Sequence, residues 1–203
     1  MFHTCNFLVE IRMLKVQYSS QKEYLCAMES DMTSTVAFTG HRSYDGSCDD
    51  SLRSVVRYLW ERGFRTFLTG MAVGFDLSAG ECVQALRSEL DGLRLVCVVP
   101  FAGQERRFPR EERLRYMRLL SAADEVRVLA ETYSPAAYHL RNDYLVEHSS
   151  VLVAWYDGSN GGTSYTVHRA ARNHLPVINL WRGLFDGTAD ELPSRDKFNI
   201  HAL

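Results

Sequence analysis

With 203 residues, 46% of them hydrophobic and 24% charged, the chain is long enough to bury a sizeable core and too apolar for a disordered protein. A formal net charge of −2 argues against a protein whose main task is coating nucleic acid, leaving room only for a local basic patch. The five cysteines (Cys5, Cys26, Cys48, Cys82, Cys97) are scattered, with no C-x-x-C and no metal-ligand spacing, and no apolar run approaches the roughly 18 residues of a membrane helix. The expectation is a soluble, cytoplasmic chain with reduced thiols and one main domain.

Residues 1–31 show neither a helix nor a strand period. Glu10 and Arg12 interrupt the apolar run that a secretion signal would need. This stretch reads as a flexible or loosely docked extension, or as sequence upstream of a start at Met28 or Met32. The expected domain then runs over 32–182, and a polar, weakly patterned tail over 183–203.

Within that domain, Thr35 to Thr39 is β-rich and ends at Gly40, as a buried parallel strand does. Asp49 and Asp50 are candidate caps of a helix whose apolar stripe is Leu52, Val55, Val56, Leu59 and Trp60, closed by Gly63. A strand at Arg65–Thr69 leads to a helix from about Leu77 to Leu90. A third strand, Leu93–Val99, precedes a helix opened by Pro109, and Val126–Leu129 is a weaker strand. Ser134 and Pro135 supply the cap and first-turn proline of the next helix. Val151–Trp155 is a strong strand, then a helix follows Thr163 and a last strand spans Val177–Trp181. Six strands separated by five helix-length segments predict a Rossmann-like α/β three-layer sandwich with a mainly parallel sheet.

Ligands of such sheets bind beyond the carboxyl ends of the strands, so the loops there are the places to look for function. After the first strand come Gly40, His41 and Arg42; charge directly after a buried strand is poorly placed unless it is used, and Arg42 suits a phosphate. The second loop holds Gly70, Gly74 and Asp76, with Asp76 a contact for ribose or base, or an ordinary N-cap. Phe101 and Gln104 follow the third strand. Asp157, Gly161, Gly162 and Thr163 follow the fifth, where a glycine-rich turn lets amides and the helix dipole meet an anion. The alternative there is a tight turn with Thr163 as a simple cap. Arg141 and Asn142, in the helix before the fifth strand, either reach the same cleft or lie on the surface.

Residues 100–122 hold six arginines (Arg106, Arg107, Arg110, Arg113, Arg115, Arg118) against three glutamates. Such a run is a wet helix face laced with ion pairs, or a groove for a polyphosphate or single strand. There is no P-loop, no full G-x-G-x-x-G, no G-x-S-x-G elbow and no H-E-x-x-H. The seven histidines form no ligand pair by spacing, so no metal is expected and no reaction is named by motif.

These loops carry a resemblance. The stretch Val36 to Arg42 resembles the opening TGHR strand-turn of the YpsA-like branch of the SLOG superfamily, and Gly70 to Asp76 is similar to that branch's second loop. Pro100-Phe101 with Gln104, Arg141-Asn142, Asp157-Gly158 and Gly161-Gly162-Thr163 follow in the family's order. The similarity covers about residues 34–181. It implies a Rossmann-like domain binding a nucleotide or nucleotide-derived ligand, of ADP-ribose or NAD type, as a sensor or carrier. Relatives in the superfamily include the LONELY GUY phosphoribohydrolases and the single-strand DNA binder DprA, so two alternatives stand. One is hydrolysis of an N-glycosidic or phosphate bond, with Asp76 the candidate acid or base; the other is single-stranded DNA binding. The phosphoribohydrolase pattern places Thr166 where its glutamate belongs, and threonine cannot act as that carboxylate. The resemblance therefore favours binding over catalysis. Domains of this kind often pair through exposed helices, which leaves a homodimer open.

Overall fold

The structure, a computed structural model, describes residues 34–181; the expected extension (1–31) and tail (183–203) lie outside the described residues. Six strands form one parallel sheet: β1 (Thr35–Gly40), β2 (Thr66–Thr69), β3 (Arg94–Val99), β4 (Glu125–Val128), β5 (Val151–Trp155) and β6 (Val177–Asn179). Their order across the sheet is β4-β3-β2-β1-β5-β6. Five α-helices connect them: α1 (Asp49–Glu61), α2 (Phe75–Leu86), α3 (Arg110–Ala122), α4 (Pro135–Glu147) and α5 (Gly162–Arg172).

The two-residue period of a strand sends successive side chains to opposite faces. Val36, Phe38, Phe67, Leu95, Cys97 and Val153 pack with α1, α2 and α3 in one apolar layer. Ala37, Leu68, Val96, Val98, Leu152 and Ala154 pack with α4 and α5 in the other. The three-layer Rossmann-like sandwich expected from the alternation is the fold. No helix among the described residues is long and apolar enough to cross a membrane.

The elements differ from expectation mainly at their ends. Asp49 and Asp50 occupy the first turn of α1 rather than capping it; Cys48 is the N-cap and makes no side-chain cap bond. Trp60 sits at the margin of the buried stripe, packed against its rim. At the other end Gly63 has φ +90°, with its amide on Trp60 C=O (3.0 Å) and the Phe64 amide on Leu59 C=O (3.1 Å). That is a Schellman stop, which needs a residue without Cβ strain. α2 begins two residues earlier than the apolar stripe suggests, and its regular hydrogen bonding stops at Leu86 instead of Leu90. A short 3-10 turn, Gln104–Arg107, precedes α3. β6 stops at Asn179 because that side chain takes over the ladder. Its Oδ1 accepts from the Tyr156 amide (3.1 Å) and its Nδ2 donates to Tyr156 C=O (2.9 Å).

Candidate functional site

The strand order reverses between β1 and β5, the point at which parallel sheets open a ligand crevice. The loops leaving these two strands meet there. His41 Nε2 lies 2.8 Å from Asp157 Oδ1, and the Asp157 amide donates to the same ring nitrogen at 3.2 Å. Nε2 accepts from the amide when bare and donates to the carboxylate when it carries a hydrogen. The hydroxyl and amide of Ser159, helped by His41, hold Asp157 below the usual carboxylate range. Trp155, Tyr156 and Trp181 surround the imidazole, with ring centroids at 5.7 to 6.5 Å.

The predicted glycines divide into two kinds. A Cβ at Gly40 would fall 2.5 Å from Phe75 Cγ, and one at Gly70 would fall 2.7 Å from Asp76 Oδ2. Gly74, the N-cap of α2 with φ +88°, would drive a Cβ within 2.6 Å of both the His41 and Arg42 carbonyl oxygens. At these three positions the protein itself fills the space. Around Gly161 a Cβ would meet nothing within 4 Å, and around Gly162 only Asn142 Nδ2 at 3.9 Å.

Gly161 is the N-cap of α5 and brings no side-chain cap bond; α1, α2 and α3 lack one as well, and of the five α-helices described only α4 has it, where Ser134 accepts from the Ala137 amide. The first intrahelical bond of α5 runs from the Tyr165 amide to Gly161 C=O at 3.0 Å. The amides of Gly162, Thr163 and Ser164 thus have no carbonyl one turn before them. Thr163 lies inside the first turn and is buried, so it is not the cap. Thr166 is fully buried and its hydroxyl donates to Gly162 C=O at 2.9 Å.

Asp76 is not the cap of α2 either. It stands in the first turn, 3% exposed, facing Arg141 of α4, itself 8% exposed. The Arg141 guanidinium lies 3.2 Å from Asp76 Oδ2 and also donates to Gly70 C=O. Burial pushes the Asp76 carboxyl up to about 6, partly countered by Arg141, the Ala72 and Gly40 amides and the nearby Arg42. Burial lowers Arg141, and Asp76 opposes that shift. Its neighbour Asn142 donates to Gly162 C=O at 3.4 Å. One turn of α4 therefore ties the β2–α2 loop to the start of α5, which settles Arg141 and Asn142 as interior residues. Gln104 is buried and donates to Met71 C=O at 3.1 Å, and Phe101 is buried against Tyr133 and Tyr138.

A raised acid binds its proton more tightly folded than unfolded. Its contribution to stability is therefore present below pH 3.8 and lost as pH rises through about 6. The urea midpoint of the wild type should fall relative to that of Asp76→Asn between pH 4.5 and 7.5. A difference independent of pH would show that Asp76 titrates as an ordinary carboxylate.

Five members of the arginine run, Arg106, Arg107, Arg110, Arg113 and Arg118, are exposed, and Arg115 is half-buried. Arg115 is engaged by Glu81 (2.6 Å), Glu112 (3.0 Å) and Ser78 (2.9 Å), whereas Arg107 lies over the Tyr133 ring. The residues that sequence reading left out are Tyr133, Tyr138 and Asn179. The spacing Tyr138-x-x-Arg141-Asn142 was the available signal for Tyr138, since residues three and four apart share a helix face. Asn179 carried no signal.

The YpsA family model (YspA SLOG family) matches residues 36–176. The SPbeta prophage-derived protein YoqJ of Bacillus subtilis (strain 168) is 32% identical over 147 residues, 66% of this chain and 85% of that protein. A UPF0398 protein of Bacillus thuringiensis (strain Al Hakam) is 29% identical over 131 residues, 64% of this chain and 71% of its own. Among solved structures, DNA processing protein A from Helicobacter pylori, described in its single-stranded DNA binding mode, has a TM-score of 0.54 at 16% identity. That likeness covers 75% of this chain and 67% of that one. The Streptococcus pneumoniae DprA gives 0.55 at 20% identity, over 78% and 54%. Likeness at this identity shows the fold alone.

Proposed function

Because the chain belongs to the YspA SLOG family, we propose that it is a binding module for a nucleotide or nucleotide-derived ligand of ADP-ribose or NAD type. The observation that carries the reading is the start of α5. Its amides have no side-chain cap, and Gly162 faces open space without a backbone angle or a neighbour that demands glycine. A phosphate supplies what the helix lacks, accepting from the Gly162 and Thr163 amides at the positive end of the dipole. Arg42, exposed beside the Asp76–Arg141 pair, supplies a second phosphate contact, and His41 with Asp157 borders the sugar. Asp76 and Arg141 act from beneath, holding the loops in place. Thr166, tied to Gly162, offers no acid for hydrolysis.

Thermal shifts against ADP-ribose, NAD, AMP and ribose 5-phosphate test this. A ligand at 100 times its dissociation constant stabilises by about 2.7 kcal/mol, a shift of several degrees for a domain of this size. No shift with any phosphate-bearing compound removes the reading.

A second reading, single-stranded DNA binding, is supported by the fold likeness to the two DNA processing proteins. It requires affinity for an oligonucleotide that falls with salt at a slope of roughly −0.7 per phosphate neutralised. Binding insensitive to salt removes it.

A further inference from the structure

The loops after β3 and β4 carry an aromatic group that the phosphate site does not use. Tyr133 is 47% exposed, yet it is not a loose surface ring. Phe101 packs edge-on against it at 5.3 Å and against Tyr138 at 5.6 Å, and Tyr133 and Tyr138 meet at 6.3 Å. Phe101 is 4% exposed, and the Ala102 amide bonds Ala130 C=O at 3.2 Å, so the two loops are pinned together beneath the rings. The Arg107 guanidinium covers Tyr133, with Cζ 4.4 Å from the ring centroid. A planar cation on a fixed, half-exposed ring is already ordered, so a third flat group joins the stack at little further cost in side-chain entropy.

Resting on the reading above, we infer that Tyr133 and Arg107, braced by Phe101 and Tyr138, form the stacking platform for the ligand's nucleobase. Position supports this as much as chemistry. Tyr138 stands one turn before Asn142 on α4, roughly 6 Å along the axis, and Asn142 bonds the carbonyl of Gly162 at the phosphate end. One face of α4 thus carries a residue of the aromatic group, Tyr138, and one turn on a residue bonded to the start of α5, Asn142. The same stacking takes a base from a free nucleotide or from a single strand, since every base has a π-face.

Calorimetric titration of the full chain with ADP-ribose, AMP, ribose 5-phosphate and a short oligo-dT separates the outcomes. Tyr133→Ala should weaken the base-bearing probes roughly tenfold or more and leave ribose 5-phosphate unchanged. Tyr133→Phe should bind as the wild type, and Arg107→Gln should show a smaller loss. A loss confined to AMP and ADP-ribose assigns the base to a free nucleotide, and one confined to oligo-dT assigns it to a strand. Wild-type affinity of Tyr133→Ala for every base-bearing probe overturns the platform and leaves the phosphate site standing. Equal weakening of ribose 5-phosphate also overturns it, because the effect would not lie at the base. If the wild type binds none of the four, the nucleotide reading and the platform fall together.

Discussion

Gly162→Val should lose the proposed ADP-ribose binding while its melting temperature stays within a few degrees of the wild type. The separation of the two effects follows from the surroundings of this glycine. A Cβ there has one neighbour, Asn142 Nδ2 at 3.9 Å, so the folded protein accommodates the side chain, and helix propensity does not oppose the change because glycine is a poorer helix former than valine. A bound phosphate would occupy the same space. Displacing it breaks charge-assisted bonds to the first amides of α5, each worth about 1.5–3 kcal/mol. Two such bonds correspond to at least about 100-fold in affinity. Titration of ADP-ribose into the folded variant decides the matter, and undiminished affinity would take the phosphate away from α5.

Arg141→Met produces the opposite pattern, a large loss of stability whether or not ligand is present. It leaves the Asp76 carboxylate without its counter-charge and the Gly70 carbonyl without its donor. Removing one partner of a buried pair costs about 3–5 kcal/mol, or roughly 10 °C in melting temperature at this chain length. The expected signature is non-additivity. Asp76→Asn combined with Arg141→Met should be destabilised by clearly less than the sum of the single variants, because the second change removes the charge that the first stranded. Strict additivity, or an Arg141→Met variant within 0.5 kcal/mol of wild type by denaturant unfolding, would show that the pair is not coupled.

The fold was legible because its determinants are local. Continuous β-rich apolar runs such as Val36 to Phe38 and the α1 stripe from Leu52 to Trp60 identify elements by themselves, and Gly63 and Ser134 mark helix ends through turn chemistry confined to a few residues. The loops of the site were legible as locations for the same reason: each follows a strand. Their interior arrangement was not. Gly70 announces a close approach of backbone to something, but the something is Arg141, 71 positions away. Asp76 before an apolar stripe has the look of a cap, and only the arrival of Arg141 from the opposite layer makes it a buried ion pair. Gly162 is the reverse case, a glycine that no contact within the fold explains. Such long-range pairings leave no periodic trace in a single chain.

The position of β1 also bears on how the protein is made. It is hydrogen-bonded to β2 on one side and to β5 on the other, and the Ser150 amide reaches Thr35 C=O across 115 residues of sequence. During synthesis β1 to β4 can assemble as each emerges. One flank of β1 stays unpaired until β5 leaves the ribosome, exposing Val36 to Phe38 as an apolar strand edge for the intervening seconds. The strand that ends at Gly40 is thus the last central strand to be sealed. At β1 the risk of edge-to-edge association is confined to the nascent chain, because both of its flanks are paired once β5 is in place.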